Sequence, residues 1–83
     1  MKLIVYSPER TVYEGDVELA ELPGTKGRFA VLENHDALIT TLTQGHLRYV
    51  ENGTEKYIEI AKGYAEVKDN VITACVTLAT APQ

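Results

Sequence analysis

A single cysteine, Cys75, rules out an internal disulfide. It lies in the apolar run Val71 to Leu78, where the simpler reading is a small core or half-core residue and not a reactive thiol. Long apolar stretches are also missing. None exceeds Leu3 to Tyr6 in length, which leaves neither a secretory h-region nor a membrane-spanning segment. A soluble chain that stays where it is made is expected, with membrane association only through partner proteins. Basic clusters are absent as well: eight Lys and Arg are scattered among twelve Asp and Glu, for a net charge of −4. A nucleic-acid backbone needs clustered cations that release counterions, so nucleic acid and acidic membrane surfaces are both disfavoured as partners. No internal repeat, low-complexity tract, linker or long helical periodicity is found.

What remains is an ordinary globular balance, 45% apolar and 24% charged over 83 residues. That length predicts one domain, residues 1–83, with 79–83 as a frayed tail. A domain of this size buries only about 60% of the surface its unfolded chain exposes, so its stability margin is thin.

Period-two alternation runs through nearly the whole chain. Lys2 to Tyr6 reads as a first strand, ended by Pro8. From Thr11 to Leu22, Tyr13, Val17 and Leu19 share one face and Glu14, Asp16 and Glu18 the other, with Gly15 as a candidate bulge. Asn52-Gly53 is the dipeptide a type I′ hairpin turn prefers, because both positions need positive φ, and Asp69-Asn70 is a weaker version of the same signal. Leu47, Tyr49, Ile58, Ile60, Ala65, Val67, Ile72, Val76 and Leu78 are the expected inward residues of the flanking strands. Short strands separated by turns predict an all-β sandwich or flattened barrel.

The segment Leu22 to Leu42, LPGTKGRFAVLENHDALITTL, carries most of the turn chemistry. Pro23-Gly24 suits a type II turn, Arg28 to Leu32 and Ala37 to Leu42 read as strands, and Glu33-Asn34-His35-Asp36 forms a polar loop between them. His35 beside Asp36 could pair a base with a carboxylate, but no serine or cysteine stands nearby as a nucleophile. His35 and His46 would need a third ligand to hold a metal, and nothing supplies one. No catalytic residue, metal or cofactor is expected. His35 then either hydrogen-bonds its own loop or meets a partner chain.

The ordered set S-P-E-R from Ser7, Gly15, L-P-G-x-x-G-x-F-x-V-L at Leu22 to Leu32, His35, L-I-T-x-L, and Gly45-His46-Leu47 resembles the N-terminal β domain of the epsilon subunit of rotary F-type ATP synthases. K-Y-I-E-I-A-K-G-Y-A-E-V at Lys56 to Val67 and V-I-T-A-C-V agree with it. The resemblance implies a β-sandwich of two packed antiparallel sheets and a non-catalytic rotor subunit of a proton- or sodium-translocating synthase. It also implies two partners, the gamma subunit and the c-ring, with the catalytic alpha and beta subunits reached indirectly, at the cytoplasmic face of the bacterial plasma membrane. Carried over residue by residue, Ser7, His35 and Thr40 fall toward gamma, and the loop around Lys26, Gly27 and Arg28 faces the c-ring.

Better-known relatives continue into a two-helix hairpin that this chain lacks, so it reads as a short family member. Arg28 stands where relatives often carry an acid; docked there, it should find a carboxylate, carbonyl or phosphate. Glu33 to Ala37 replaces a P-G-H-A-P loop, and Ala30 replaces a glycine, which requires negative φ at that position. A different class, the acidic β carrier domain of lipoyl or biotinyl type, would use Lys68 next to the Asp69-Asn70 turn, although the flanking residues match neither attachment motif.

Overall fold

A computed structural model describes residues 1–79 as eight strands with no helix among them. In chain order these are β1 (Lys2–Tyr6), β2 (Thr11–Asp16), β3 (Leu19–Gly24), β4 (Gly27–Val31), β5 (Leu38–Leu42), β6 (Gly45–Glu51), β7 (Thr54–Lys68) and β8 (Val71–Leu78). Strands β2, β1, β8, β7 and β5 make one layer. The second layer is β4, β3 and β6, closed by the first half of β7, which pairs with β6 from Thr54 to Ile60. The all-β sandwich expected from the turn spacing is the fold observed.

The two layers are joined by β7. Its register against β8 slips between Ile60 and Lys62, so Ala61 is one residue too many for the ladder and the strand bends from one layer into the other. Residues before the slip serve β6, and residues after it serve β5 and β8. A second crossing, at Val17 and Glu18, divides the alternating stretch read as Thr11 to Leu22. The Val17 amide donates to Met1 O in the first layer and the Glu18 amide to Val50 O in the second, both at 2.8 Å. The expected alternation does not run unbroken through it: Val17 is buried and Glu18 exposed, but beyond them Ala20 and Leu22 are buried, so the inward phase shifts by one residue and Leu19 does not share the face of Val17.

Between the layers lies one apolar cluster, and no polar or charged residue is buried among the described residues. Of the nine expected inward residues, seven are buried, while Ile58 and Leu78 pack half-buried against the cluster. Each fully covered Leu or Ile, such as Leu3, Leu47, Ile60 or Ile72, contributes about 1.5–3 kcal/mol relative to exposure.

Both hairpin dipeptides behave as their chemistry predicts. Asn52 and Gly53 take φ of 52° and 77°, and Asp69 and Asn70 take 52° and 63°. Ala30 is not among the residues with positive φ, so its methyl is tolerated. Three other expectations are corrected. Pro23-Gly24 is not a turn: both residues pair within the β3–β4 ladder, opposite Arg28 and Gly27, and the chain reverses at Thr25-Lys26. Pairing of β3 with β6 stops at Glu21, so the N–H that Pro23 lacks falls beyond that ladder. Gly15 is not a bulge either, since it pairs in register with Leu3 and the slip lies between Val5 and Tyr6. What needs a glycine there is space: a Cβ would come within 2.5 Å of the Tyr13 hydroxyl. Finally, β1 runs parallel to β8, whereas the other strand pairs are antiparallel. The two strands are far apart in sequence, so no hairpin dictates their direction.

The polar loop crosses from β4 back to β5. The His35 amide closes a turn on Leu32 O, and Asn34, at φ 65°, is clasped to the β7–β8 turn by its amide on Asn70 Oδ1 at 2.6 Å and by Asn70 Nδ2 on Asn34 Oδ1 at 3.1 Å. Ala79, the first residue of the expected tail, donates its amide to Glu59 O. Positions 80–83 lie outside the described residues.

Gly63→Ala should destabilise the fold by about 1–3 kcal/mol, because the new methyl would overlap the Cys75 carbonyl oxygen and sit 3.0 Å from Val76 Cα; the urea midpoint reads this. A second test concerns Tyr13, whose hydroxyl donates to Glu51 at 2.9 Å. Burial first, and then that hydrogen bond, hold its phenol well above the ordinary tyrosine value. Because the folded-state value lies above the unfolded one, the associated stability is complete below the unfolded phenol's pKa and is lost as pH rises toward the folded value. Tyr13→Phe should cost about 1 kcal/mol at neutral pH and lose less stability than the parent from about pH 9 to about pH 11, as measured by urea unfolding.

Candidate functional site

The outward faces of the two layers differ in chemistry. On the four-strand layer, charges are spent on one another across every strand. Arg28 on β4 donates to Glu21 on β3 at 3.1 Å, Glu21 lies 3.8 Å from Arg48 on β6, and Arg48 donates to Glu55 on β7 at 2.6 Å. The Tyr57 hydroxyl adds a bond to Glu55 at 3.2 Å. Glu55 is held below the usual carboxylate range, first by the Arg48 hydrogen bond and then by that of Tyr57, and the Arg48 guanidinium is raised by the same bond to Glu55. Exposed pairs of this kind add little stability, and they leave few uncommitted groups on the face.

The five-strand layer carries one such pair, Lys2 with Glu14 at its β1–β2 edge, and is otherwise more apolar. Strand register puts Thr41, Tyr64, Cys75 and Tyr6 in one uncharged row across β5, β7, β8 and β1. The next row on that face contains Ile39 and Ile4, separated by Glu66 and Thr73. Ile39 is 73% exposed, Tyr64 55% and Tyr6 39%. Tyr6, Ser7, Tyr64 and Cys75 line a mostly apolar groove of about 510 Å³. A small protein that leaves a set of large apolar side chains on one sheet face has a surface suited to burial by another protein.

Ser7, His35 and Thr40 do not converge on a point. Ser7 closes the β1–β2 turn, its amide donating to Arg10 O and its Oγ accepting from the Arg10 amide, and it borders the apolar groove. Thr40 sits on β5 between Ile39 and Thr41, its hydroxyl donating to Thr41 O. His35 lies at the far end of the layer, in a second, polar concavity shared with Asp36, Lys68 and Asn70. Its Nδ1 is 2.8 Å from the Asp36 backbone oxygen, so the ring engages its own loop and not the Asp36 carboxylate. The three residues therefore mark two ends and one edge of the five-strand layer.

Lys26, Gly27 and Arg28 occur together at the β3–β4 tip, all exposed. Arg28 finds the carboxylate and carbonyl its chemistry calls for, but within its own chain: Glu21 and, at 2.8 Å, His46 O. His46, on β6 of the same layer, stands against the Tyr57 ring at 5.2 Å. Lys68 pairs with Val71 beside the turn and does not crown it, which is the wrong place for a carrier lysine. Among the described residues no helix is long and apolar enough to cross a membrane, and no three His, Cys, Asp or Glu gather as a metal site. Sequence reasoning overlooked Ile39, Tyr64 and Tyr6 as surface residues. Their signal was present: each is a large apolar side chain one step out of phase with the buried or half-buried residues beside it.

Residues 1–82 match the family described as ATP synthase, Delta/Epsilon chain, beta-sandwich domain. The chain is 37% identical over 73 residues to the ATP synthase epsilon chain of Leptospira interrogans, covering 88% of this chain and 58% of that one. It is 36% identical over 67 residues to the ATP synthase epsilon chain of Caulobacter vibrioides, covering 81% and 78% respectively. It thus spans little more than half of the Leptospira relative. Among solved structures, a chain of the Euglena gracilis mitochondrial ATP synthase, determined with OSCP, F1 and c-ring, superposes with a TM-score of 0.85 over 94% of this chain and 51% of that one, at 22% identity, and shares the fold. The shared sandwich and the match along almost the whole sequence show that this chain belongs to the delta/epsilon β-sandwich family of ATP synthase subunits.

Proposed function

We propose that the chain is a non-catalytic central-stalk subunit of an F-type ATP synthase, turning with the rotor that couples proton or sodium flow to ATP synthesis. The observation that carries this reading is the family match over residues 1–82. In it, the gamma subunit covers the outward face of the five-strand layer, where Ile39, Tyr64 and Tyr6 are exposed and which Ser7 borders, with Thr40 beside it on β5, level with buried Ala65. The β3–β4 tip, with Lys26 and Gly27, meets the c-ring. The alpha and beta subunits hold the chemistry and are reached only through gamma. Held in this way, the chain sits peripherally at the cytoplasmic face of the bacterial plasma membrane without inserting in it.

The physical suitability is mechanical. Two layers packed at the density of a protein interior resist deformation and hold the tip and the apolar face in constant relation while the assembly turns. Apolar side chains near the centre of such a face supply most of the affinity, while rim charges guide register.

Co-expression with the cognate gamma subunit should give a stoichiometric complex, and a chain that stays monomeric beside folded gamma would count against the rotor assignment. Ile39→Asp and Tyr64→Asp should each weaken that complex by about tenfold or more with little change in melting temperature, since both side chains face solvent. Unaltered affinity in both variants would move the gamma contact to another face.

A further inference from the structure

We propose that the β3–β4 hairpin is a pre-set finger whose contact charge is Lys26, offered to a carboxylate on the c-ring side, and that Arg28 is a positioning residue that aims it. The inference rests on the rotor reading and concerns the chemistry of its ring-facing end.

Among the described residues strand β4 pairs only with β3, so a two-residue tip at the end of that ladder would ordinarily swing with it. Here it is tied from both sides. Toward β5, the Thr25 amide donates to Thr41 O at 3.1 Å, the Thr25 and Thr41 hydroxyls share a hydrogen bond at 2.7 Å, and the Thr43 amide donates to Pro23 O at 2.8 Å. Toward β6, Arg28 reaches across β3, with Nη1 on His46 O and Nη2 on Glu21. The base is closed tightly enough that a Cβ on Gly24 would come within 2.7 Å of Gly27 O.

These ties divide the two cations of the hairpin into different tasks. Arg28 spans two neighbours with its fork, and turning it toward a partner would leave Glu21 and the His46 carbonyl without it. Glu21 also offsets its charge. Lys26 is exposed, makes no ion pair among the described residues, and precedes Gly27, on which a Cβ would meet nothing within 4 Å. The finger therefore presents one uncompensated positive charge on backbone that is already held in place, which reduces the ordering cost of docking. A carboxylate-bearing loop complements it, and a basic loop is repelled.

The test is binding of the cognate gamma complex of this chain to detergent-solubilised cognate c-ring over a series of salt concentrations. Lys26→Glu should lower affinity roughly threefold or more at low salt and flatten or invert the salt dependence. Arg28→Gln should also weaken binding, but with the parent salt dependence and with faster amide exchange at Thr25 to Gly27. Arg28→Lys should not rescue it, because a point charge cannot span Glu21 and His46 O. Parent-like or tighter binding by Lys26→Glu would overturn the proposal, as would full rescue by Arg28→Lys. Failure of the parent complex to bind the ring would overturn the rotor reading and this inference together, whereas a parent that binds with unaffected variants sinks only the inference.

Discussion

Everything in this small fold depends on one strand serving two layers. β7 carries its N-terminal half in the ladder with β6 and its C-terminal half between β5 and β8, and the slip at Ala61 is what lets a single strand do both. Without that bend the eight strands would have to continue as an open sheet, and the residues now covered between the layers would have no opposite face. Gly63 follows immediately and admits the β8 backbone at a distance no side chain would allow. Bend and close approach together bring Ile60, Ala65 and Val67 into one core despite their lying on either side of the kink.

Closing the layers also sorts the surface. On the four-strand side, Arg28, Glu21, Arg48 and Glu55 neutralise one another from edge to edge. On the five-strand side, a row of threonine, tyrosine, cysteine and tyrosine is left without ionic partners. The first arrangement is content in water, and the second becomes more favourable when another protein replaces the water. Such an imbalance orients the domain in any complex, because one broad face rewards burial more than the other.

What could be read without the structure was whatever local chemistry decides. Asn52-Gly53 and Asp69-Asn70 turn because their residues tolerate positive φ, and the inward residues of β6 to β8 follow from period two. Pro23-Gly24 misled because the same dipeptide that favours a turn also fits the end of a strand whose far neighbour has already stopped pairing at Glu21; that is a tertiary fact. The bend in β7 is likewise tertiary: at Ala61 the inward phase shifts from Ile58 and Ile60 to Ala65 and Val67, and only the register against β8 shows that one strand runs through the shift. Of the surface positions, Lys26 to Arg28 were read as one loop and lie together at the β3–β4 reversal, but the partners of Arg28, on β3 and β6, are set by strand order. The apolar outward face is a property of register among four strands, only two of which are neighbours in a hairpin. Pattern within a single strand showed its residues but not their assembly.

The parallel ladder between β1 and β8 has a consequence for how the molecule comes into being. Strand β1 takes one of its two sheet partners from β8, the strand farthest from it along the described residues, so Leu3 and Val5 stay uncovered until Ile72 and Ala74 have been made. During synthesis the β1–β2 hairpin is thus a guest awaiting its place, and the five-strand layer, with the apolar face it bears, is completed only once β8 has been made.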